Sequence, residues 1–405
     1  MIHGIHLQQE LIQAVNDLGF TEFTEIQIKT IPLVQEGKDV IAQSYTGSGK
    51  TAAFGLPLIE KILSNQGLQL LILVPTRELC EQVNKEMHKF SKYKKLNIIP
   101  VYGGVAINPQ MDKLRHAEIV VGTPGRILDH IKRKTIQLNK INSLVLDEAD
   151  KMFEMGFIDD IKKIISYLKK ERQTLLFSAT ISSKVHHIVK NYMRNPVLVK
   201  IKSYVDEGKL LQNYYDIPSK DKFSLLAHLL KQGDKELTII FCSTRRMVDI
   251  LHRNLGHVGI KTGKIHGGLS QNRRTEAIDM FHNHKFNILL ASDVAARGLD
   301  IRNVSHIINY DIPKTSNEYI HRIGRTARAG KNGKVISLLS DHDYDNFRKV
   351  LEDRSLVVQK LETPDFQKIP LIKGERSREE NRHYRSPKPF RDQGRYRKRN
   401  FRKHN

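Results

Sequence analysis

Short apolar runs alternate with amphipathic segments along residues 1–200 of the chain. The runs are rich in Val, Ile and Leu, a composition that favours buried strands, and helical segments separate them. Strands are predicted at Asp39–Ala42, Leu70–Val74, Ile98–Val101, Ile119–Val121, Leu144–Leu146 and Thr174–Phe177. This alternation predicts a parallel sheet that is covered by helices on both faces.

A second series of the same kind begins near Leu211. Its strands are predicted at Thr238–Phe241, Asn287–Ala291, Ser305–Asn309 and Gly333–Leu338. Between the two series, Ile201–Lys209 is polar and has no clear period, which is typical of a linker. We therefore predict an α/β chain with parallel sheets in two domains, residues 1–202 and 211–373, joined by a linker at residues 203–210.

The composition changes after residue 373. Gly374–Asn405 contains twelve Lys and Arg residues against four acidic residues. Its large apolar side chains are those of Tyr384, Phe390, Tyr396 and Phe401. Such a segment cannot bury a core, so residues 374–405 are predicted to form a disordered basic tail.

The overall charge indicates the class of partner. A chain of 405 residues can bury two cores, and its formal net charge is +23 with a pI near 9.8. This excess predicts a polyanionic partner, with nucleic acid as the first candidate and an anionic membrane surface as the second. A solvated basic surface without such a partner is the third interpretation.

The cysteines and the hydropathy of the chain indicate its cellular compartment. Cys80 and Cys242 lie far apart within predicted elements, which indicates packed core thiols rather than a disulfide or a metal site. They predict a reducing, cytoplasmic environment. The N-terminus has no cationic segment followed by an apolar one, and the apolar run Leu70–Val74 is too short to span a bilayer. We therefore expect no membrane partner.

A Gly-rich segment follows the first predicted strand: Gly47-Ser48-Gly49-Lys50-Thr51. Small residues let backbone N–H groups approach a polyphosphate, and the positive end of the following helix attracts it. Lys50 is placed to reach the β- and γ-phosphates, and Thr51 is placed to bind Mg²⁺. The general phosphate-loop pattern has Gly where Ser44 stands, so this loop is a variant. A plain Gly-rich turn is the alternative interpretation.

Acidic residues follow another buried strand, at Asp147-Glu148-Ala149-Asp150. Asp147 leaves the strand directly and is the better Mg²⁺ ligand, whereas Glu148 is the better base for a hydrolytic water. Asp150 is placed to bridge to another motif. The alternative is an acidic N-terminal cap for a helix that begins near Met152, a role that Asp150 would partly fill. A phosphate loop and an acidic pair on strand ends, in this order, predict a nucleotide hydrolase.

The tetrad Asp-Glu-Ala-Asp and its neighbours resemble the DEAD-box ATP-dependent RNA helicases, and the resemblance covers about residues 5–345. It implies two tandem RecA-like domains with an ATP site in the cleft between them. It also implies ATP and Mg²⁺ as cofactors and RNA as the partner, bound largely through its backbone. By analogy with helicases of this size, ribosomal RNA and RNA-turnover assemblies are hypotheses for the physiological partner.

The resemblance implies a role for each nucleotide-site residue. Gln27 would pair with the edge of adenine and Phe20 would stack on its face, although the usual prolines of this motif are Phe23 and Glu25 here. The phosphate loop would contact ATP through Ser44, Thr46, Gly47, Ser48, Gly49, Lys50 and Thr51. Asp147 would hold Mg²⁺ together with Thr51, Glu148 would orient the water, and Asp300 would hold the ribose.

Arginines of the second domain complete the implied site. Arg322, Arg325 and Arg328 recur every three residues and share roughly one helical face, for which a solvated stripe is the generic interpretation. The resemblance makes Arg325 and Arg328 ligands of the γ-phosphate, so the implied catalytic set is Lys50, Glu148, Arg325 and Arg328. Ser292 and Ala327 stand where the family usually has Thr and Gly.

Further motifs are implied to contact RNA or to couple it to the nucleotide. Helix N-termini, Gly amides, hydroxyls and Arg bind phosphates without reading bases. The implied RNA contacts are Pro75, Thr76, Arg77, Gly103, Gly104, Thr123, Pro124, Arg126, Thr244, Gly267, Arg274 and Ser292. The implied coupling residues are Asp150, Ser178, Thr180, Gln271, His321 and Arg322. The basic tail is predicted to add further RNA contacts.

The function predicted from the sequence is an RNA-dependent ATPase that unwinds or remodels short RNA duplexes. A DNA translocase of the same fold is one alternative, and the Gln27 motif with the full tetrad favours the RNA family. A non-enzymatic RNA-binding scaffold is the other, and the retained Lys50, Glu148 and Arg325 argue against it.

Overall fold

A computed structural model of the chain describes residues 5–44, 47–181, 183–201, 210–233, 236–293, 304–326, 332–353 and 356–373. For residues 183, 184 and 271 it describes the backbone alone. The predicted linker therefore lies outside the described residues except for Leu210, and the predicted tail lies outside them entirely.

Over the described residues, the first sheet has seven strands, all parallel, in the order β3-β4-β2-β5-β6-β1-β7. The strands are β1 Val40–Gln43, β2 Leu70–Leu73, β3 Ile98–Val101, β4 Ile119–Gly122, β5 Ser143–Leu146, β6 Gln173–Ser178 and β7 Val197–Lys200. Leu70 and Ile72 pack into the core on one face, and Leu71 and Leu73 pack into the core on the other. This confirms the predicted parallel sheet with two covered faces.

In the described part of the second half, the sheet also has seven parallel strands, in the order β10-β11-β9-β12-β13-β8-β14. The strands are β8 Leu210–Asp216, β9 Thr238–Cys242, β10 Thr262–Ile265, β11 Ile288–Ser292, β12 His306–Asn309, β13 Gly333–Leu339 and β14 Gln359–Lys360. Ile239 and Ile240 belong to the cores on opposite faces of this sheet. The two sheets with their helices are consistent with tandem RecA-like domains, as predicted.

Helices connect the strands and cover both sheets. Those of the first half are Gln9–Asp17, Glu25–Gln35, Lys50–Lys61, Arg77–Phe90, Asn108–Leu114, Pro124–Lys132, Ala149–Glu154, Ile158–Ser166 and Ser183–Tyr192. Those described in the second half are Lys222–Gln232, Arg245–His257, Gln271–His282, Ser316–Ile323 and Tyr344–Leu351, with 3₁₀ turns at Ser219–Asp221 and Asp341–Asp343. Among the described residues, no helix has both the length and the apolarity that crossing a bilayer requires.

The structure corrects the predicted elements in three respects. Strands β7, β8, β10 and β14 were not predicted as strands, and Leu210 belongs to β8 rather than to the linker. The helix expected near Met152 begins at Ala149, because Glu148 already adopts the left-handed conformation of the preceding turn. Both cysteines are free and buried, as predicted.

Candidate functional site

Three adjacent strands bring the nucleotide motifs together. Strand β6 pairs with β5 on one side and with β1 on the other, so the acidic tetrad, Ser178 and the phosphate loop follow neighbouring strand ends. The backbone N–H of Ser44 donates to the carbonyl of Ser178 at 3.0 Å, which extends the β1–β6 pairing into the loop. The carboxyl ends of parallel strands are where α/β sheets bind ligands.

The phosphate loop turns through left-handed glycines. Gly47 and Gly49 have φ of 91° and 93°, and the helix Lys50–Lys61 begins directly after Gly49. Ser48 and Lys50 are buried, Thr51 is partly buried, and Ser44 has a buried hydroxyl without a hydrogen bond among the described residues. The structure therefore forms the loop and helix N-terminus that the sequence predicts.

Gln27 and Thr24 hold this loop from a neighbouring helix. The Gln27 amide donates through Nε2 to the carbonyl of Gly49 at 3.1 Å and accepts from the Thr24 N–H at 2.9 Å. The Thr24 hydroxyl donates to the carbonyl of Ser48 at 2.8 Å. Phe20 packs against the core of the first sheet, with its ring 6.4 Å from that of Phe90. The adenine motif is therefore joined to the phosphate loop.

The first two acidic residues differ in proton affinity. Burial raises the pKa of Asp147 to about 6, while the charge of Lys50 opposes this rise. Burial would also raise the pKa of Glu148, but the charges of Lys151 and Lys50 lower it to about 2. Glu148 is therefore ionised at neutral pH, whereas a nearby cation would stabilise the ionised form of Asp147.

Glu148 lies between two charged groups. Lys151 Nζ is 2.8 Å from Glu148 Oε1, and both side chains are almost fully buried. The charge of the buried Arg325, which follows the helix Ser316–Ile323 of the second sheet, also lowers the pKa of Glu148. Glu148 has φ 51° and ψ 49°, a conformation uncommon for a residue other than Gly and often found at functional sites.

Asp150 connects the tetrad to the Ser178–Thr180 motif. Its Oδ2 accepts hydrogen bonds from the N–H groups of Ala179 and Thr180, each at 3.0 Å, and from the Thr180 hydroxyl at 3.2 Å. The Ser178 hydroxyl donates to the carbonyl of Thr180 at 2.7 Å. Asp150 lies in the first turn of its helix, and these hydrogen bonds join the acidic tetrad to the Ser178–Thr180 motif.

Asp150 also faces His321 of the second half of the chain. His321 Nε2 lies 3.7 Å from Asp150 Oδ2, and both residues are buried. Burial lowers the pKa of His321, and the charge of Lys151 lowers it further, so the imidazole is neutral at pH 7. Burial would raise the pKa of Asp150, but contact with His321 and nearby cations hold it well below its usual range. At neutral pH this contact therefore joins an ionised carboxylate to a neutral ring.

Arg322 contacts residues of the second sheet region. Its guanidinium forms a bidentate pair with Asp293, with Nε–Oδ1 and Nη2–Oδ2 distances of 2.6 and 2.7 Å. It also donates to Asn309 Oδ1 and to the carbonyl of Asp311. This network joins the strand ends of β11 and β12 to the helix Ser316–Ile323.

The predicted RNA contacts of the first half follow the ends of β2, β3 and β4. Pro75 follows β2, and Thr76 caps the helix Arg77–Phe90 by accepting a hydrogen bond from Leu79. Arg77 lies over the ring of Tyr102, 4.5 Å from its centre, next to Gly103 and Gly104. These residues form one side of a surface at the carboxyl ends of β2, β3 and β4, which is the strand-end surface of the first sheet.

The third of these motifs joins the same surface. Thr123 is the N-cap and Pro124 the first residue of the helix Pro124–Lys132. Arg126 Nη2 donates to the carbonyl of Val105 at 3.0 Å, which ties this helix to the Gly103–Gly104 loop.

The predicted RNA contacts of the second half follow β9, β10 and β11. Thr244 caps the helix Arg245–His257 by accepting from the N–H of Met247 at 3.1 Å. Gly267 and Ser292 line a pocket of about 420 Å³ that Arg245 and Lys314 also line. Arg322, Asp293 and Glu318 line it as well, so three cations and two carboxylates surround this pocket.

Arg274 reaches across to the first sheet region. Its Nη1 lies 2.6 Å from Glu78 Oε1, with side-chain exposures of 14% and 10%. The structure therefore places Arg274 against the residue that follows Arg77, within the predicted RNA motif. Thr46, Asp300, Arg328 and the side chain of Gln271 lie outside the described residues.

Two family models match the chain. The DEAD/DEAH box helicase model matches residues 24–188, and the helicase conserved C-terminal domain model matches residues 221–330. The chain belongs to the DEAD-box helicase family. It is therefore an ATP-dependent RNA helicase and ATPase, as the resemblance implied.

Relatives and solved structures support this membership. The chain is 46% identical over 363 residues to the ATP-dependent RNA helicase CshA of Listeria monocytogenes, covering 89% of this chain and 70% of the relative. It is 44% identical over 361 residues to CshA of Geobacillus kaustophilus, covering 88% and 77%. S. cerevisiae Dbp5 bound to RNA and ADP BeF3 is similar with 31% identity and a TM-score of 0.78, covering 88% of this chain and 94% of that one. A DEAD box protein from Methanococcus jannaschii is similar with 41% identity and a TM-score of 0.57, covering 89% and 98%.

No individual role was predicted for three residues that contact this DEAD-box site. Thr24 could have been recognised as the first residue of a capping box with Gln27. Lys151 lies three residues after Glu148, a spacing that brings side chains together on a helix. Glu78 gave no comparable signal, because its partner Arg274 is distant in sequence.

Proposed function

We propose that ATP is hydrolysed between the two RecA-like sheets and that RNA bound across both strand-end surfaces activates the reaction. The observation that carries the proposal is the convergence of both halves on the acidic tetrad. His321 lies 3.7 Å from Asp150, and the charge of Arg325 acts on Glu148. Because each half supplies part of the site, a stimulus that brings the halves together would also complete the catalytic groups.

The residues at the phosphate loop suit a nucleotide with Mg²⁺. Asp147 and Thr51 offer hard oxygen ligands, and the raised pKa of the buried Asp147 means that a divalent cation would stabilise its ionised form. When bound, Mg²⁺ would neutralise the charge of the β- and γ-phosphates. Lys50 would contact the same phosphates, and Gln27 would pair with adenine while holding the loop through Gly49.

Glu148 would accept the proton of the attacking water. As the water oxygen bonds to the γ-phosphorus, the bond between that phosphorus and the bridging oxygen breaks, and ADP leaves. Lys50, Arg325 and Arg328 would stabilise the charge of the transferring phosphoryl group. The low pKa of Glu148, about 2, keeps the carboxylate ionised across the neutral pH range, so its oxygens accept a hydrogen bond from the water and orient it.

RNA would lie along the ends of β2, β3 and β4 and continue over the ends of β9, β10 and β11. The contacts would go to phosphates and ribose, so binding would be largely independent of sequence. Closure of residues 1–202 onto residues 211–373 would bend one strand and destabilise a short duplex. Ribosomal RNA, RNA-turnover assemblies and a cytoplasmic location remain predictions.

The proposed site is tested by Glu148→Gln and Lys50→Ala. Glu148→Gln should bind ATP and hold RNA tightly in its presence, yet lose about a hundredfold or more in RNA-stimulated turnover, since an amide cannot accept the proton. Lys50→Ala should lose turnover and ATP-dependent RNA binding but keep RNA binding without nucleotide. Phosphate release and RNA affinity with and without ATP are the measurements.

The opposite outcomes would reject the assignments. Turnover within a few-fold of wild type in either variant would contradict the site. Comparing RNA with DNA of one sequence as the stimulating strand separates an RNA helicase from a DNA translocase, because only RNA presents 2′-hydroxyls. Equal stimulation by both strands would favour the DNA alternative.

A further inference from the structure

Lys151 is a buried cation to which the hydrolysis described above gives no task. Its side chain is 1% exposed, and its Nζ lies 2.8 Å from Oε1 of Glu148, which is 4% exposed. Lys151 is the third residue of the helix Ala149–Glu154, and Glu148 is the N-cap of that helix. The two side chains therefore meet three residues apart across the first helical turn.

Stability alone does not explain a lysine at this position. A buried ion pair is often no more stabilising than apolar residues of similar size, because both charges must leave water. The lysine is therefore better explained by what it does to Glu148.

The carboxylate of Glu148 needs a fixed direction to serve as a base. Its backbone is in the left-handed region, with φ 51° and ψ 49°, at the junction between β5 and the helix. A proton acceptor contributes most when it is held within hydrogen-bond reach of the water it activates. A contact to one carboxylate oxygen fixes the direction of the other.

We propose that Lys151 is a positioning residue that holds Oε1 of Glu148 so that Oε2 accepts the proton from the attacking water. The proposal rests on the function proposed above for Glu148. In the step, the water oxygen bonds to the γ-phosphorus, the phosphorus–oxygen bond to ADP breaks, and the proton passes to Oε2. Lys151 keeps its protons throughout and touches neither the water nor the nucleotide.

The test compares Lys151→Met with Lys151→Arg in the full chain. Lys151→Met should lower kcat of RNA-stimulated ATP hydrolysis by about tenfold to a hundredfold, because small misplacements of a catalytic group have effects of this size. KM for ATP, and RNA affinity with a non-hydrolysable ATP analogue, should change less than about twofold because ground-state contacts remain. Lys151→Arg keeps a donor near Oε1 and should restore most of kcat.

Lys222→Met is the matched control. Lys222 forms another buried ion pair, with Asp343 at 2.9 Å, on the second sheet. Lys222→Met should change the unfolding temperature about as much as Lys151→Met does but leave kcat unchanged. Where Lys151→Met does not fold, Lys151→Ala replaces it, since it also removes the donor to Oε1 and alanine favours the helix.

A double variant separates this proposal from the proposed function. If Lys151 acts through Glu148, adding Lys151→Met to Glu148→Gln should not lower the residual turnover further. A wild-type kcat in Lys151→Met, or losses of ATP and RNA affinity as large as the loss of kcat, would overturn the positioning role. Wild-type turnover in Glu148→Gln would instead reject the role of Glu148 itself.

Discussion

At the scale of single residues, burial and neighbouring charges determine the protonation of the acidic residues at the nucleotide site. The types and order of Lys50, Asp147 and Glu148 sufficed to predict a phosphate cradle and a carboxylate pair. Lys151 escaped prediction because a lysine in a helix is usually solvated, and only its burial reveals the pairing with Glu148. Arg322 is predicted to couple the two ligands, and the sequence did not indicate its contacts with Asp293 and Asn309.

Gly49 gives a prediction at this scale. It has φ 93°, and a methyl group on it would lie 2.4 Å from Nε2 of Gln27. Gly49→Ala should therefore strain the phosphate loop by about 1–3 kcal/mol and weaken ATP binding by about tenfold or more. ATP affinity measured by calorimetry checks this.

Gly256→Ala is the control for that variant. Gly256 lies inside the helix Arg245–His257, and nothing lies within 4 Å of a methyl group there. Alanine favours a helix over glycine, so this variant should keep ATP affinity and be slightly more stable. Unchanged ATP affinity in Gly49→Ala would mean that the loop does not need its left-handed turn.

At the scale of elements, three of the four strands that were missed share one property. Strands β7, β10 and β14 lie at sheet edges, where one side of the strand has no partner strand among the described residues. Exposed residues occur in β7 and β14, including both residues of β14, whereas β10 is mostly buried. Edge strands need no continuous apolar run, so Thr262-Gly263-Lys264-Ile265 carries no strand signal. Interior strands such as β5 must be apolar on both faces and were predicted.

The contact between the helices Arg77–Phe90 and Gln271–His282 gives a second prediction. Arg274 and Glu78 pair at 2.6 Å between them. Loss of one partner from such a desolvated pair costs about 2–5 kcal/mol, so Arg274→Glu and Glu78→Arg should each raise the RNA concentration for half-maximal ATPase by about tenfold or more. The double exchange should recover much of this loss, because it restores opposite charges.

An exposed ion pair serves as the control. Arg133 and Asp129 pair at 2.8 Å on one helix, where both side chains are substantially exposed. Arg133→Glu should change the ATPase little, since exposed pairs contribute little. If the double exchange needs as much RNA for half-maximal ATPase as the single variants do, Arg274 acts on RNA directly, as the sequence predicts.

At the scale of the whole molecule, the sequence predicted two sheets but could not show how they meet. Periodicity reports local burial, and it carries no information on which residue of one half faces the other. The pairs His321–Asp150 and Arg274–Glu78 join residues far apart in sequence, and only the tertiary structure shows them. The proposed activation by RNA depends on such long-range contacts.

The basic segment Gly374–Asn405 gives the prediction for the whole chain. Its removal should leave kcat at saturating RNA unchanged and raise the RNA concentration that is needed, because twelve cations and four acidic residues attract a polyanion without a sequence motif. If the segment neutralises Z phosphates, the slope of log affinity against log salt should become shallower by about 0.7Z. Affinity for a hairpin with a single-stranded extension, measured over a salt series, checks both effects.

A variant with leucine at Tyr384, Phe390, Tyr396 and Phe401 separates charge from stacking. Stacking of bases on aromatic rings contributes about 1–3 kcal/mol per base, so a stacking contribution would lower affinity while leaving the salt slope unchanged. A purely electrostatic segment would show wild-type affinity in this variant. Equal affinities and equal slopes for the full-length and truncated chains would instead confine RNA binding to the two sheets, because cations that release no counterions do not contact phosphates.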